Sequence, residues 1–384
     1  MNLYDLGFYS GDETLLDNLL EDYLQASYLS IATPQIDLNT AIEISLLLER
    51  HNTASELLSR YGESRISPFL RFRILQTVPD ESAYKVLASC FDDNRSVSTA
   101  LDILRNGSSD QIYVYELGGL GDLIEGFMTI RMMLEREYKN GRVTYITTGK
   151  MARFLNQSLA TPQISAVSSQ TFINHGKITI HALHLIALAR SGHGVLPHYS
   201  TKLVNHKLQS RIGNYSPSKE LQGLVNCRDY VLLNLRSLAK LRPETSRKSY
   251  FLRSIDISAC LDIINSYLGA GRTVIDITDY PKGWGLRERM ASCRNYHNIN
   301  CMELEFVDYA FLARNSSVTV TIDSMLTHLA AALGLSHILV LPKGHDQRWI
   351  QNLGKNETMY ARTCCVYKQS SLHQWRSLVP YVAK

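Results

Sequence analysis

The sequence predicts an α/β fold: two halves built on parallel sheets, facing each other across a cleft, behind an all-helical segment. Three patterns carry that expectation. Apolar residues recur at helical spacing from Glu13 to Asn106. A strand, a glycine turn, a helix and a strand follow between Gln111 and Thr148. A second alternation of strands and helices starts at Tyr230.

The helical segment, residues 1–109, reads as about six short helices. Leu15, Leu16, Leu19, Leu20, Tyr23 and Leu24 form one apolar stripe, and Ile42, Leu46 and Leu47 another. Further stripes are expected at Leu57 and Leu58, at Phe69, Phe72 and Leu75, at Tyr84, Leu87 and Phe91, and at Ala100, Ile103 and Leu104. Asp80 and Asn94 stand where helix caps are wanted, and Asn106-Gly107 reads as a stop. No repeat of fixed period names a solenoid family.

The first α/β half, residues 110–224, opens with Ile112, Val114 and Leu117 and runs into Gly118-Gly119-Leu120-Gly121-Asp122. Ile124, Phe127, Met128, Ile130, Arg131 and Leu134 then resume helical spacing, and Arg142 to Thr148 is the second strand. That βαβ unit implies a parallel sheet. Ile164 to Ile180 supplies further short strands, and the polar stretch Tyr199 to Leu224 holds the boundary. The second half, residues 225–384, places strands at Tyr230 to Leu235, Thr273 to Ile277, Val318 to Ile322 and His337 to Leu341. Helices are expected at Ile255 to Leu268, Asp308 to Arg314 and Met325 to Leu333, the last stopped by Gly334, before an amphipathic tail from Leu372 to Val382.

Composition removes several classes of function. Forty Lys and Arg against 36 Asp and Glu leave a formal charge of +4, too small a surplus for a protein held to nucleic acid by phosphate neutralisation. The apolar runs are strand-sized, well short of the roughly 20 residues of a membrane-spanning helix, so no membrane span is expected. The stretch from Met1 to Asp12 is acidic and lacks the basic start and apolar run of a signal peptide, so a cytoplasmic location is expected. The 7 cysteines contain no C-x-x-C, which favours reduced, buried thiols over a disulfide framework or a zinc site. His175, His181, His184, His193, His198 and His206 crowd one segment without paired Cys or carboxylate, and no metal is expected there.

Two constellations could carry chemistry. The turn at Gly119 and Gly121 aims backbone N–H groups at a ligand, but it lacks the G-x-G-x-x-G frame and the acidic second-strand end of a dinucleotide site. Asp122 is either the helix's capping carboxylate or a general base kept ionised by the helix dipole. The second constellation is the apolar strand Val318 to Ile322 followed by Asp323-Ser324-Met325-Leu326-Thr327-His328. Its helix N-terminus would offer amides to a diphosphate; alternatively Asp323 or Ser324 is a cap and His328 a core histidine. The basic residues Arg236, Lys240, Arg242, Arg247, Lys248 and Arg253 follow the first strand of the second half, as a solvated face or as an anion site.

A Gly-Asp pair after a first strand, with D-[ST]-x-x-x-H-x-A-A-A-x-G near the C-terminus, resembles the ADP-heptose:lipopolysaccharide heptosyltransferase family. The resemblance covers roughly residues 110 to 384 and includes Lys343-Gly344-His345-Asp346-Gln347-Arg348-Trp349 and the segment from Asn234 to Tyr250. It implies a GT-B fold of two Rossmann-like domains and inverting, metal-independent transfer of a sugar from a nucleotide-diphospho-sugar, with ADP-heptose the foremost donor and no further cofactor. Asp122 falls on the family's catalytic base. Gly119, Gly121, Arg236, Lys240, Lys248, Asp323, Ser324, Met325, Leu326, Thr327 and His328 fall on its donor side. Met325 departs from the family's usual glycine and crowds the diphosphate approach. The added helical segment resembles accessory domains of protein glycosyltransferases, so the acceptor is expected to be a protein or a glycan, and self-association through that segment is a further expectation. The rival reading is a non-catalytic GT-B-like scaffold acting through its helices.

Overall fold

A computed structural model describes residues 2–29, 35–75, 94–107, 111–115, 119–174, 177–182, 184–186, 210, 212–226, 229–237, 247–281, 285–299, 303–345 and 364–383. The first five helices, α1 (Leu3–Ser10), α2 (Glu13–Leu29), α3 (Leu38–Leu47), α4 (His51–Tyr61) and α5 (Pro68–Leu75), form one module. Asn2 and Asp37 cap α1 and α3 by accepting the N–H groups of Asp5 and Thr40, and Gly11 turns the chain out of α1 at φ 72°. The module's core gathers Tyr4, Phe8, Leu16, Leu20, Ile42, Leu46 and Leu57. Phe69, expected in a core stripe, is 58% exposed, while Leu70 and Ile74 are buried; the Phe72 and Leu75 side chains lie outside the described residues. A two-turn helix offers two apolar rows, and periodicity cannot choose between them. Asp80, Tyr84, Leu87 and Phe91 lie outside the described residues.

Helix α6 (Asn94–Asn106) has Asn94 as its first described residue and stops before Gly107, which has φ 62°. Its Ala100, Ile103 and Leu104 pack into the core of the first sheet and not into the helical module. That sheet follows as β1 (Gln111–Tyr115), α7 (Leu120–Arg136), β2 (Arg142–Thr147), α8 (Gly149–Ser158), β3 (Ile164–Ser168) and β4 (Thr179–His181). Its four strands are parallel, in the order β3-β2-β1-β4.

Helix α9 (Lys219–Val225) leads into the second sheet. Its elements are β5 (Tyr230–Asn234), α10 (Arg247–Arg253), α11 (Ile257–Gly269), β6 (Thr273–Asp276), α12 (Leu286–Met290), β7 (Tyr296–Asn298), α13 (Phe306–Asn315), β8 (Val318–Ile322), α14 (Met325–Leu333), β9 (His337–Leu341), β10 (Cys364–Lys368) and α15 (Val379–Val382). The six strands are parallel in the order β10-β9-β8-β5-β6-β7. The apolar runs of β5 and β9, and the burial of Thr319 and Thr321 in β8, are what a sheet covered on both faces requires. No described helix is long and apolar enough to cross a membrane.

The two halves share one buried core. Leu123, Phe127 and Met133 of α7 lie with Phe311 and Leu312 of α13 and with Leu326, Leu329 and Leu333 of α14. Each such side chain stabilises the assembled pair by about 1.5–3 kcal/mol on full burial. The helical module is joined to the second half by Leu252 and Leu372, which sit inside the module's own core, and by carboxylate–lysine pairs. The Glu49 carboxylate, on a residue with φ 61°, meets Lys368 Nζ at 2.9 Å.

Burial alone would raise the Glu49 carboxyl, but the hydrogen bond and charge of Lys368, aided by His345 and the Gly344 N–H, hold it below its ordinary 4.5. A depressed folded-state value contributes stability above the unfolded value and loses it as pH falls through the folded one. Urea unfolding of the wild type should therefore weaken more steeply than that of Glu49→Gln as pH drops below about 4.5. Parallel pH profiles would remove this contribution.

Candidate functional site

A parallel sheet whose strand order reverses leaves a crevice outside the carboxyl ends of the two strands at the reversal. The first sheet steps from β1 to β2 to β3 and then returns to the far side of β1, so its reversal lies between β1 and β4. The second sheet reverses between β5 and β8. Helix α7 starts from Gly119, four residues past the end of β1, and the chain leaving β8 starts α14. The two constellations singled out in the sequence therefore each sit at a reversal point.

At the second reversal the strands are tied across. Asn234 Nδ2 at the end of β5 donates to Ser324 Oγ at 3.1 Å, and the Thr321 hydroxyl lies 3.0 Å from the same atom. Ser324 caps α14 by accepting the Leu326 N–H at 3.3 Å, and the Thr327 hydroxyl donates back to the Ile322 carbonyl at 2.8 Å. Asp323 is held by Arg253, whose guanidinium lies 3.3 Å from its carboxylate and 3.1 Å from its carbonyl. Leu326 and His328 are buried, and Met325 packs partly buried against the shared core.

At the first reversal Gly119 caps α7, and Asp122 reaches back so that its Oδ2 accepts the Gly119 N–H at 2.7 Å. The Tyr115 and His181 rings, at the ends of β1 and β4, meet edge-on at 5.0 Å. The two turns touch. A Cβ on Gly121 would lie 2.5 Å from His328 Cδ2 and 2.7 Å from its Nε2, so only glycine lets the first turns of α7 and α14 meet. The structure thus brings together Gly119, Gly121, Asp122 and the run from Asp323 to His328.

The basic cluster divides. Arg236 donates from Nη1 to the Ile255 carbonyl at 2.6 Å; burial pulls its guanidinium below the ordinary value, and Cys260, Tyr280, Asp256 and Asp279 oppose that pull. Lys248 is turned to the helical module, 2.7 Å from Asp5 Oδ1. Lys240, Arg242 and the Arg247 side chain lie outside the described residues. Sequence reading missed Asp276, whose carboxylate accepts from the Thr278 N–H at 2.9 Å and from the Tyr280 and Tyr296 hydroxyls at 2.8 Å each. Burial raises its pKa. Thr278 in turn accepts the Leu235 N–H at 2.9 Å, so this cluster fixes the chain where it leaves β5. The available signal was a carboxylate inside an apolar strand.

Beside the seam, at the carboxyl ends of β2 and β3, an open cavity of about 630 Å³ is lined by Thr148, Lys150, Arg153, Ser168, Gln170 and, from the second half, Phe306. Lys150 pairs across it with Glu305 at 3.1 Å. Among the described residues no group of three His, Cys, Asp or Glu side chains is placed to hold a metal.

No family model and no curated protein matches the chain. Solved structures similar to it include the Escherichia coli heptosyltransferase WaaC with ADP, at 9% identity over 67% of this chain and 93% of that one, with a TM-score of 0.43. The E. coli ADP-heptose lipopolysaccharide heptosyltransferase II gives 12% identity over 71% and 98%, with a TM-score of 0.42. A family 9 glycosyl transferase from Veillonella parvula gives 10% over 72% and 92%, with a TM-score of 0.41.

Gly121→Ala forces a methyl group into the His328 ring and should lower stability by about 1–3 kcal/mol in denaturant unfolding. The double variant Gly121→Ala with His328→Ala should recover part of that loss; equal losses in both would place the strain elsewhere.

Proposed function

We propose that the chain is a glycosyltransferase that moves a sugar from a nucleotide-diphospho-sugar to a hydroxyl acceptor, by an inverting and metal-independent route. The observation that carries this reading is the meeting of the two reversal points. A helix start bearing a carboxylate, Asp122, abuts a helix start bearing Asp323, Ser324, Thr327 and His328. Amides at the start of α14 suit a diphosphate, and Arg236 adds positive charge behind the same strand ends.

In this reading Asp122 takes the proton of the acceptor hydroxyl as its oxygen attacks the anomeric carbon. The new C–O bond forms on the face opposite the bond that breaks, which inverts the configuration. The electron pair leaves with the nucleotide diphosphate, whose charge the α14 amides and Arg236 stabilise without a cation. The resemblance makes ADP-heptose the first donor to try. A protein or glycan acceptor would approach from the cavity beside the seam, where Lys150, Arg153 and Phe306 offer charge and an aromatic wall. A cytoplasmic site of action and self-association through the helical module belong to the same proposal.

The test uses a panel of nucleotide sugars with Asp122→Asn and Asp122→Ala. The asparagine keeps an oxygen for the Gly119 N–H but cannot take a proton. Transfer should fall by about 10²- to 10⁴-fold in both variants while donor binding persists. Full transfer by Asp122→Asn removes the base role. Absence of any nucleotide-sugar binding by the wild type removes the enzyme reading and leaves the scaffold.

A further inference from the structure

The helical module reaches the second reversal point through two arms. The first is α10. Near its start Lys248 Nζ lies 2.7 Å from Asp5 Oδ1 and 3.9 Å from the centre of the Tyr4 ring; at its end Arg253 grips Asp323. The second is the turn after β9. The Gly344 N–H donates to Glu49 at 3.4 Å, and the Gly344 carbonyl accepts from Arg73 at 2.9 Å. Lys343 Nζ meets Glu13 at 2.6 Å. Gly344 has φ 68°, and a Cβ there would lie 2.8 Å from the Leu47 Cα, so the turn is seated directly on the α3 backbone.

Both arms end beside the same residues. Strand β9 pairs with β8, with Val340 opposite Ile322, so the turn leaves the sheet one strand spacing, about 4.8 Å, from the chain that becomes Asp323 and Ser324. Gln369 closes the turn from the other side, accepting the Lys343 N–H at 3.3 Å. Lys248, which the resemblance places on the donor side, is instead, together with Lys343, an anchor by which the module holds this part of the second half.

We infer that the helical module positions the nucleotide side of the site: Asp5 and Glu49 are positioning residues that act through α10 and the β9 turn on the Arg253–Asp323 pair. The inference rests on the reading of that reversal point as a nucleotide-diphosphate site. Contacts that favour the binding-ready arrangement strengthen ligand binding by the same factor by which ligand strengthens them.

The experiment compares the full chain with Asp5→Asn, Glu49→Gln and Lys368→Met. The last variant removes the Glu49 contact from the opposite side should Glu49→Gln fail to fold. Asp17→Asn, which breaks an ion pair with Arg50 wholly inside the module, is the control. Hydrogen exchange is followed over residues 321–326 and 341–345, and ADP binding by calorimetry. Exchange in those segments should rise in the positioning variants and stay unchanged in the control, and ADP should bind about fivefold more weakly. Unchanged exchange overturns the inference, as does raised exchange with wild-type ADP affinity. A wild type that binds no ADP overturns the ADP reading of the site, and the exchange result then decides alone whether the module holds the turn.

Discussion

The arrangement depends on a missing side chain. With no Cβ at Gly121, the His328 ring can lie against the first turn of α7, and the starts of α7 and α14 come into contact. That approach lets Leu123, Phe127, Leu326 and Leu329 close one apolar core across both halves. A methyl group would separate the helices by the width of the clash and open voids along their length, and dense interiors do not absorb such a shift. The same contact sets Asp122 and Ser324 at adjoining helix starts, so packing and chemistry are governed by one position.

Much of this was legible in the residues. Strand β8 and helix α14 lie where the apolar run, the Asp-Ser step and Gly334 put them, because a buried parallel strand and a capped helix each leave a local signature. The three-residue β7 and the edge strand β10, which begins at Cys364-Cys365, leave none; their strand character comes from the neighbours they pair with. Phe69 is exposed for a related reason, since burial on a short helix is decided by what it packs on. Lys248 shows the limit most clearly. A lysine after a first strand suits an anion, and only the fold reveals that Asp5, 243 positions earlier in the chain, already faces it.

The electrostatic pattern also changes meaning. A charge of +4 spread over the chain says little, yet the module offers carboxylates at Asp5, Glu13 and Glu49 to lysines at 248, 343 and 368. These pairs are partly exposed, and each alone is worth at most about 1 kcal/mol. Their weight comes from sharing one interface with Leu252 and Leu372, which supply the apolar burial that fixes the lysines in place.

The shared core has a consequence for how the chain is made. Phe127 and Leu326 belong to one cluster although roughly two hundred residues separate them, so the loop between them must close before either is fully covered. A nascent chain that has left the ribosome only as far as β4 carries α7 packed on the first sheet but with its partners on α13 and α14 still unsynthesised. Such intermediates expose sticky surface, which makes the interval between the two sheets the period when this protein is most open to aggregation and to chaperone capture.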